Sequence, residues 1–588
     1  MAALSLTISS SLVGCQKSFT TRSGGKASNF NSSMNKHGPI CSMEISHESK
    51  KEFYCNFSDR QLPLALSSVN NQMVDLKATS FRDLKRKLKK VISGISDEVK
   101  IMALIDHIQR LGIAYHFEME IETALGGIYR GFSAHGSNDN LLVASLKFRL
   151  LRQHGYNVSS NVFNKFKDGN GNFKPSLSED VIGMLNLYEA SHLRIEGEDI
   201  MDEALGFCVE HLSTSMHRVE PNIAKIVRHA LKLPLHFRTP RLETRHYIEV
   251  YKEDPQRNQD LLEFAQRDFN MVQSLYKGEL KEVSRWWREL DMAKELAFAR
   301  DQIHHWFMWP VAIVPEPQYS ECRVDMTKAI SFIYLIDDIY DVYGSMDELE
   351  LFTQAITRWD LSEIHGLPKY MKVCYLALHD VTRDIARKIH KKHGFDITDY
   401  LRQAWTSLCE AYLVEAKWFR SGQVPRAKEY LKNAVTSTGV HVALIHMYFL
   451  MGHKVTRETA QLISNGPQFI RCPATILRLW DDLSTSMEER ERGDDASYIE
   501  SYMKEHEDES EESAREHTTN LIITMWKRLI HESLKQNPFP HSFTISVLNI
   551  SRMAQVVYQT QEDSTVKDHI KSLLLDPISL SLQSCKPK

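Results

Sequence analysis

The chain has 588 residues, 42% hydrophobic and 25% charged, with a formal net charge of −4. That length exceeds what one core holds, so two domains are expected. The charge excludes a nucleic-acid binder of the usual basic kind, no apolar run reaches the ~18 residues of a membrane span, and the nine Cys show no CxxC spacing, so they read as reduced thiols of an intracellular protein.

The first 43 residues hold ten Ser and the basic residues Lys17, Arg22, Lys26 and Lys36, and no acid precedes Glu44. A Ser-rich, acid-poor, basic N-terminus over 1–50 reads as an organelle transit peptide. A tail without an address, or a secretory leader at 2–13, are the alternatives. Residues 81–91 carry Arg82, Lys85, Arg86, Lys87, Lys89 and Lys90 and read as the solvated face of a helix. From 98 to 233 an apolar period of 3.6 recurs, as at Ile101, Leu104, Ile105, Ile108 and Leu111, so helix follows helix. Gly169 and Gly171 mark a loop over 167–175. Pro234 and Pro240 break the pattern, and a second domain is expected from 256. Within it, 264–277 and 280–296 read as separate helices. Trp286 and Trp287 read as packing residues at the domain interface, and the adjacent His304 and His305 lack zinc-site spacing.

Residues 325–352 read as one helix. Asp337 and Asp341, four apart, then share a face, with Asp338 offset by about 100°. Phe332, Ile333, Leu335, Ile336 and Ile339 make the surroundings apolar. Like charges on a buried face repel, and Mg²⁺, which takes carboxylate and phosphate oxygens, would relieve them. A solvated acidic turn is the other reading. Residues 401–419 form an amphipathic helix. In 432–451, Thr436-Ser437-Thr438-Gly439 interrupts a helix and can bend it. Asp481, Thr485 and Glu489 then fall at i, i+4 and i+8, again hard oxygen ligands on one stripe. Arg478, one turn earlier, is a planar donor suited to phosphate. Two such stripes can face each other across a helical bundle and build a metal site. Past Glu489 the acidic run to 516 reads as a solvated, mobile loop, and 546–575 as the last helices.

The two acidic stretches together resemble the DDxxD and (N/D)DxxTxxxE elements of plant class I terpene synthases, in type and in order. Asp106-His107-Ile108-Gln109-Arg110-Leu111-Gly112, Tyr115-His116-Phe117, Phe148–Tyr156 and Leu187–Ser191 are similar to that family's first domain. The resemblance implies an all-α fold of two helical domains. The first, 51–255, is an N-terminal relic α-barrel without a DxDD acid motif. The second, 256–588, is a C-terminal class I isoprenoid synthase bundle. It implies three Mg²⁺ ions, with Mn²⁺ as a substitute, on Asp337, Asp341, Asp481, Thr485 and Glu489. Arg300 and Arg478 would join Asp337, Asp341 and Asp481 in binding substrate diphosphate. Among the catalytic residues it implies, Trp309 would face the allyl cation, with Trp306 as a second aromatic, and Tyr558 and Asp563 would line the pocket near its lid.

Three departures from the family pattern are visible. Gln302 replaces the second Arg of its RxR element, Thr565 replaces an aromatic after Asp563, and the first Trp of the chain is Trp286, so no RRx8W element is present. These departures resemble the acyclic-product subgroup, the linalool and nerolidol synthases. The expected substrate is geranyl diphosphate, with farnesyl diphosphate as a second. Olefin-forming (myrcene, ocimene) or cyclising enzymes are the alternatives within the family. A chain-elongating prenyltransferase is disfavoured by the Thr485/Glu489 pattern, and an inactive helical scaffold is the non-enzyme reading. The resemblance further implies a monomer in the plastid stroma, with the cytosol as alternative.

Overall fold

A computed structural model describes residues 70–132, 140–492, 497–536, 538–558, 573, 574 and 578, with side chains from residue 80 except 132, 293, 363 and 486–492. The expected transit segment, Glu489's side chain, Asp563 and Thr565 lie outside that description. The chain divides into two compact units, Val13–Asp83 and the remainder, Met1–Leu12 with Leu84–Lys588. Of the first unit only 70–83 are described, as helix. Everything below concerns the second.

The second unit is all-α. Among the described residues, the β component is one isolated antiparallel bridge, Lys167 to Phe173, which closes the expected loop. Its first half runs through α1 (Asn70–Gly94), of which it holds the end, α2 (Glu98–Arg110), α3 (Glu118–Phe132), α4 (Leu141–Gln153), α5 (Val181–Ser191), α6 (Asp199–Ser215), α7 (Pro221–Lys232) and α8 (Pro240–Glu253). The apolar period of α2 is realised: Ile101, Ile105, Ile108 and Leu111 are buried. Pro240 does not break a helix. It opens one, at the first turn, where its missing N–H costs nothing.

The second half begins with α9 (Gln259–Glu289), capped by Asn258, whose side chain accepts the Leu261 N–H at 3.1 Å. One helix replaces the two expected there. Gly278 lies inside it, and a glycine costs only about 1 kcal/mol in a helix whose other residues pack. Next come α10 (Met292–Glu295), α11 (Ile303–Ile313), α12 (Ser320–Asp338), α13 (Met346–Arg358), α14 (Lys369–His393), α15 (Thr398–Ser421), α16 (Ala427–Ser437), α17 (Val440–Leu450), α18 (Arg457–Ser464), α19 (Gln468–Arg492), α20 (Tyr498–Glu505), α21 (Glu511–Leu534) and α22 (His541–Tyr558). Helix α12 packs on α9, α11, α14 and α17, while α19 packs on α17, α21 and α22. The two acidic stretches thus enter one bundle on different helices.

Two expectations are corrected here. The acidic run after 489 is not all loop: Ser497 caps α20 and buries Tyr498 and Ile499, so the acids occupy the outer face. Nor are Trp286 and Trp287 at the domain interface. Trp287 donates through Nε1 to Asp301 Oδ1 at 2.8 Å and meets Trp306 edge-on, while Trp286 packs near Phe332 and Lys328, all within the second half.

Candidate active site

Helix α12 is fixed at its start. Arg323, fully buried, forms a two-bond pair with Glu279 of α9 at 2.9 and 2.7 Å and donates to the Val314 and Glu316 carbonyls. The far end of α12 carries Asp337 and Asp338, which do different things. Asp337 faces a cavity and pairs with the Arg300 guanidinium. Asp338 is buried; it accepts the Arg300 backbone N–H at 2.8 Å and lies 2.7 Å from Arg300 Nε.

The helix does not continue to 352. After Asp338 it widens into a π turn, Ile339–Tyr343, then breaks. Gly344 permits the break: a Cβ there would meet Leu349 Cδ2 at 2.6 Å and the Ile339 carbonyl at 3.0 Å. Ser345 and Glu348 then form a capping box that starts α13. A π turn advances fewer degrees per residue than an α turn. Asp341 therefore does not line the cavity beside Asp337; it sits at an exposed position beside it. Even with that exposure, the protein mass around it and the nearby Asp337 and Glu415 carboxylates hold its pKa well above the usual range.

On α19 the stripe stays α-helical. Asp481 lines the same cavity and accepts from Arg478 Nη1 at 3.1 Å. Asp482, one residue on, is buried and accepts from the Tyr430 hydroxyl and the Tyr498 N–H, both at 2.9 Å. Thr485 lines the cavity and donates to the Asp481 carbonyl at 3.0 Å, leaving its oxygen lone pairs for another partner. Glu489 belongs to this helix by its backbone. Between α16 and α17 the chain breaks at Thr438 and Gly439, as the sequence indicates. Gly439 has φ +70°, and a Cβ there would meet Ile333 Cγ2 at 2.4 Å, so α17 approaches α12 more closely than any other residue allows.

The cavity these helices enclose has a volume of about 490 Å³, within the range of small-molecule sites. Its polar lining includes Arg300, Asp337, Arg478, Asp481 and Tyr558. Its apolar lining includes Trp309, Ile330, Ile333, Val440, Ile550 and Met553. Trp309 donates through Nε1 to the Tyr334 hydroxyl at 3.1 Å, and the Arg300 guanidinium lies 5.0 Å from the centre of the Tyr334 ring. Trp306 is 1% exposed, stacked on Tyr334, and adds little open face. Phe307 is core. Gln302 lines the cavity two residues from Arg300.

Two members escaped the sequence reading. Glu415 on α15 accepts from Ser437 Oγ at 2.6 Å and Asn433 Nδ2 at 3.2 Å, and Ser437 in turn accepts from Arg478. Its signal was available: an acid at the apolar stripe of Leu408, Ala411 and Tyr412. Tyr334, one turn before Asp337, is the other; burial pushes its hydroxyl up to about 12.

The charges do not balance. Asp337, Asp338, Asp341, Asp481, Asp482 and Glu415 bring six carboxylates against the two guanidiniums of Arg300 and Arg478. Burial, before any neighbour, raises the pKa of Asp338, Asp481 and Glu415. Surplus hard oxygens on facing walls are a donor set that fits Mg²⁺, which takes one or two carboxylates and completes its shell with water and phosphate. Among the described residues no three acids, His or Cys already converge on one point.

Two family models cover most of the chain: "Terpene synthase, N-terminal domain" matches residues 54–231 and "Terpene synthase family, metal binding domain" residues 288–528. The chain is 45% identical over 505 residues to trans-ocimene synthase, chloroplastic, of Litsea cubeba, covering 85% of this chain and 86% of that one. It is 44% identical over 503 residues to (−)-alpha-terpineol synthase of Vitis vinifera, covering 84% and 85%. Among solved structures it is similar to isoprene synthase from grey poplar leaves in complex with three Mg²⁺ ions and dimethylallyl-S-thiolodiphosphate, with 39% identity, a TM-score of 0.81, and coverage of 86% and 98%. The two acidic helices around an aromatic-lined cavity, and the two matched domains in this order, make the chain a member of the plant terpene synthase family, with the all-α class I terpenoid fold.

Proposed function

We propose that this chain is a monoterpene synthase that ionises geranyl diphosphate and releases chiefly the acyclic alcohol linalool, with nerolidol from farnesyl diphosphate as a second activity. The observation that carries this reading is that Asp337 on α12 and Asp481 on α19 face one apolar, aromatic-lined cavity, with further carboxylates packed behind them. Relatives named for trans-ocimene and alpha-terpineol, both C10 products, support the monoterpene level. In this reading Asp337, Asp341, Asp481, Thr485 and Glu489 would hold three Mg²⁺ or Mn²⁺ ions. Mg²⁺, when bound, supplies Lewis acidity toward the departing diphosphate.

The protein's own part follows from its residues. Arg300 and Arg478 donate to diphosphate oxygens, most strongly as charge develops there. Asp338 holds Arg300 in place through its backbone N–H and Nε, while Asp482 fixes the part of α19 that carries Arg478. The C–O bond breaks heterolytically and leaves an allyl cation against Trp309, whose ring face stabilises a neighbouring cation by up to ~2 kcal/mol. Ile330, Ile333 and Val440 keep most water out. Tyr558 closes the lining, with Asp563 beside it in the sequence reading. Water then adds at C3, and linalool, diphosphate and a proton leave.

Gln302 is the residue on which the acyclic reading rests. It places a neutral amide where a second cation would hold the diphosphate for return to C3. Domain limits of 51–255 and 256–588 belong to the same reading, supported by one family match within each, at 54–231 and 288–528. A transit peptide over 1–50 and a monomer in the plastid stroma complete the reading; the relative named chloroplastic supports the compartment. Chiral gas chromatography of products from geranyl or farnesyl diphosphate with Mg²⁺ tests it. Linalool as the main product is expected. Ocimene, myrcene or cyclic products in its place would return the protein to the family without the alcohol assignment.

A further inference from the structure

A second cavity, about 930 Å³, lies between the first-half helices and α22. It is larger than the reaction cavity, and no step above uses it. Arg552 enters it from α22 and is 8% exposed. Of the five N–H donors on a guanidinium, Nε donates to the His236 carbonyl and Nη1 to Asn549 Oδ1, each at 2.7 Å. The remaining donors have no partner among the described residues. Every other arginine on this lining has an acid: Arg110 and Arg149 pair with Asp106, Arg152 with Glu198 and Arg238 with Glu189. Arg552 has none among the described residues, and burial alone brings its pKa down to about 10.

His236 gives a second, independent sign. It is 2% exposed, lines the same cavity, and neither ring nitrogen has a hydrogen-bond partner. Burial, then the charge of Arg552, holds its imidazole well below its usual pKa, so it is neutral and carries one donor and one acceptor. A buried cation without an anion is costly, and apolar residues of similar volume usually replace such a group at no loss. The rest of the lining includes apolar side chains: Leu235, Ile530 and Leu548.

We propose that this cavity binds a small organic anion, a phosphate or carboxylate on an apolar chain, with Arg552 taking the charged group and His236 a hydrogen bond. Its wall is shared. Ile313 lines both cavities, and Asn549, held by Arg552, donates to the Ile313 carbonyl at 3.0 Å.

Calorimetric titration of octyl phosphate and of octanoate into the full chain in EDTA reads this site without turnover, so the result is independent of the product assignment. Saturable binding of at least one is expected, weakened tenfold or more by Arg552→Met and retained by Arg478→Met, which removes a guanidinium from the reaction cavity. Preference between the two probes assigns the headgroup as phosphate or carboxylate. No heat with either probe, unchanged binding in Arg552→Met, or loss that follows Arg478→Met instead would overturn the proposal. Thermal melting with and without a saturating probe is the second arm, because Arg552→Met also removes two buried hydrogen bonds and shifts the baseline by itself. The probe that binds should raise the parent's midpoint by a few degrees and leave that of Arg552→Met where it stands without probe. An equal rise in both proteins would overturn the proposal as well.

Discussion

Two of the chain's Asp-Asp pairs, 337–338 and 481–482, look alike in the sequence and divide their work in the same way. Asp337 and Asp481 face the cavity; Asp338 and Asp482 turn inward and fasten what surrounds it. The two regions differ in how an arginine is brought to the first aspartate. At α12 it comes from outside the helix, from the loop before α11, and Asp338 must anchor that loop through the Arg300 N–H. At α19 it comes from the same helix, at i−3, and Asp482 instead ties the helix to Tyr430 on α16 and to the start of α20. Adjacent carboxylates therefore serve chemistry and framework, and substitution can separate the two.

The largest effect is expected at the facing residues. Asp337→Asn and Asp481→Asn should each lower kcat by roughly 100-fold or more, since each loses a ligand oxygen and a charge aimed at the reacting diphosphate. Their melting temperatures should stay near the parent's, because an amide at either position relieves crowding among like charges. An intact kcat in either variant would remove that residue from the site. Asp482→Ala should do the reverse. It strands a buried tyrosine hydroxyl and the Tyr498 N–H and should cost about 3 kcal/mol in urea unfolding, with the kcat of the folded fraction falling far less than in Asp481→Asn. Equal losses of activity at 481 and 482 would break the comparison.

The comparison also marks how far the sequence reaches. Asp337, Asp481, Thr485, Arg478, the break at Thr436–Gly439 and the all-α class were legible, because helical period and residue type act locally. The inward turn of Asp338 was not, since it depends on where the Arg300 loop lands. The π turn was not either: apolar spacing at Leu335, Ile336 and Ile339 fits an α-helix as well. The Gly344-Ser345-x-x-Glu348 sequence that starts α13 went unread. The reading of 264–277 and 280–296 as two helices missed that packing along α9 holds one helix through Gly278. The acids after 489 masked α20, whose burial of Tyr498 and Ile499 is carried by two residues in a polar run.

Glu415 sharpens the comparison by adding a third wall. It touches neither Asp pair directly but fixes Ser437, which accepts from Arg478. Glu415→Gln keeps the shape and removes the charge. The Mg²⁺ concentration for half-maximal rate should rise about tenfold, with kcat at saturating Mg²⁺ little changed. A fall in kcat at every Mg²⁺ concentration would instead give Glu415 a direct part in positioning Arg478.

The smallest expected effect falls on products rather than rate. Arg300 is the cation that the loop brings to Asp337, and Gln302, two residues on, lines the same cavity without charge. Gln302→Arg adds a second guanidinium to the Arg300 side of the site, opposite the one that α19 serves with Arg478. A partly exposed ion pair is worth up to about 1 kcal/mol, and each 1.36 kcal/mol is tenfold in a rate ratio, so a shift of roughly threefold is the scale to look for. Longer retention of diphosphate favours its return to C3, rotation and a second ionisation, the route to a ring. Early loss leaves water to capture the cation. The cyclic fraction from geranyl diphosphate should therefore rise about threefold at nearly constant kcat. An unchanged cyclic fraction would place control of water capture elsewhere in the apolar wall, and the Arg300 side of the site would then differ from the Arg478 side in geometry but not in consequence.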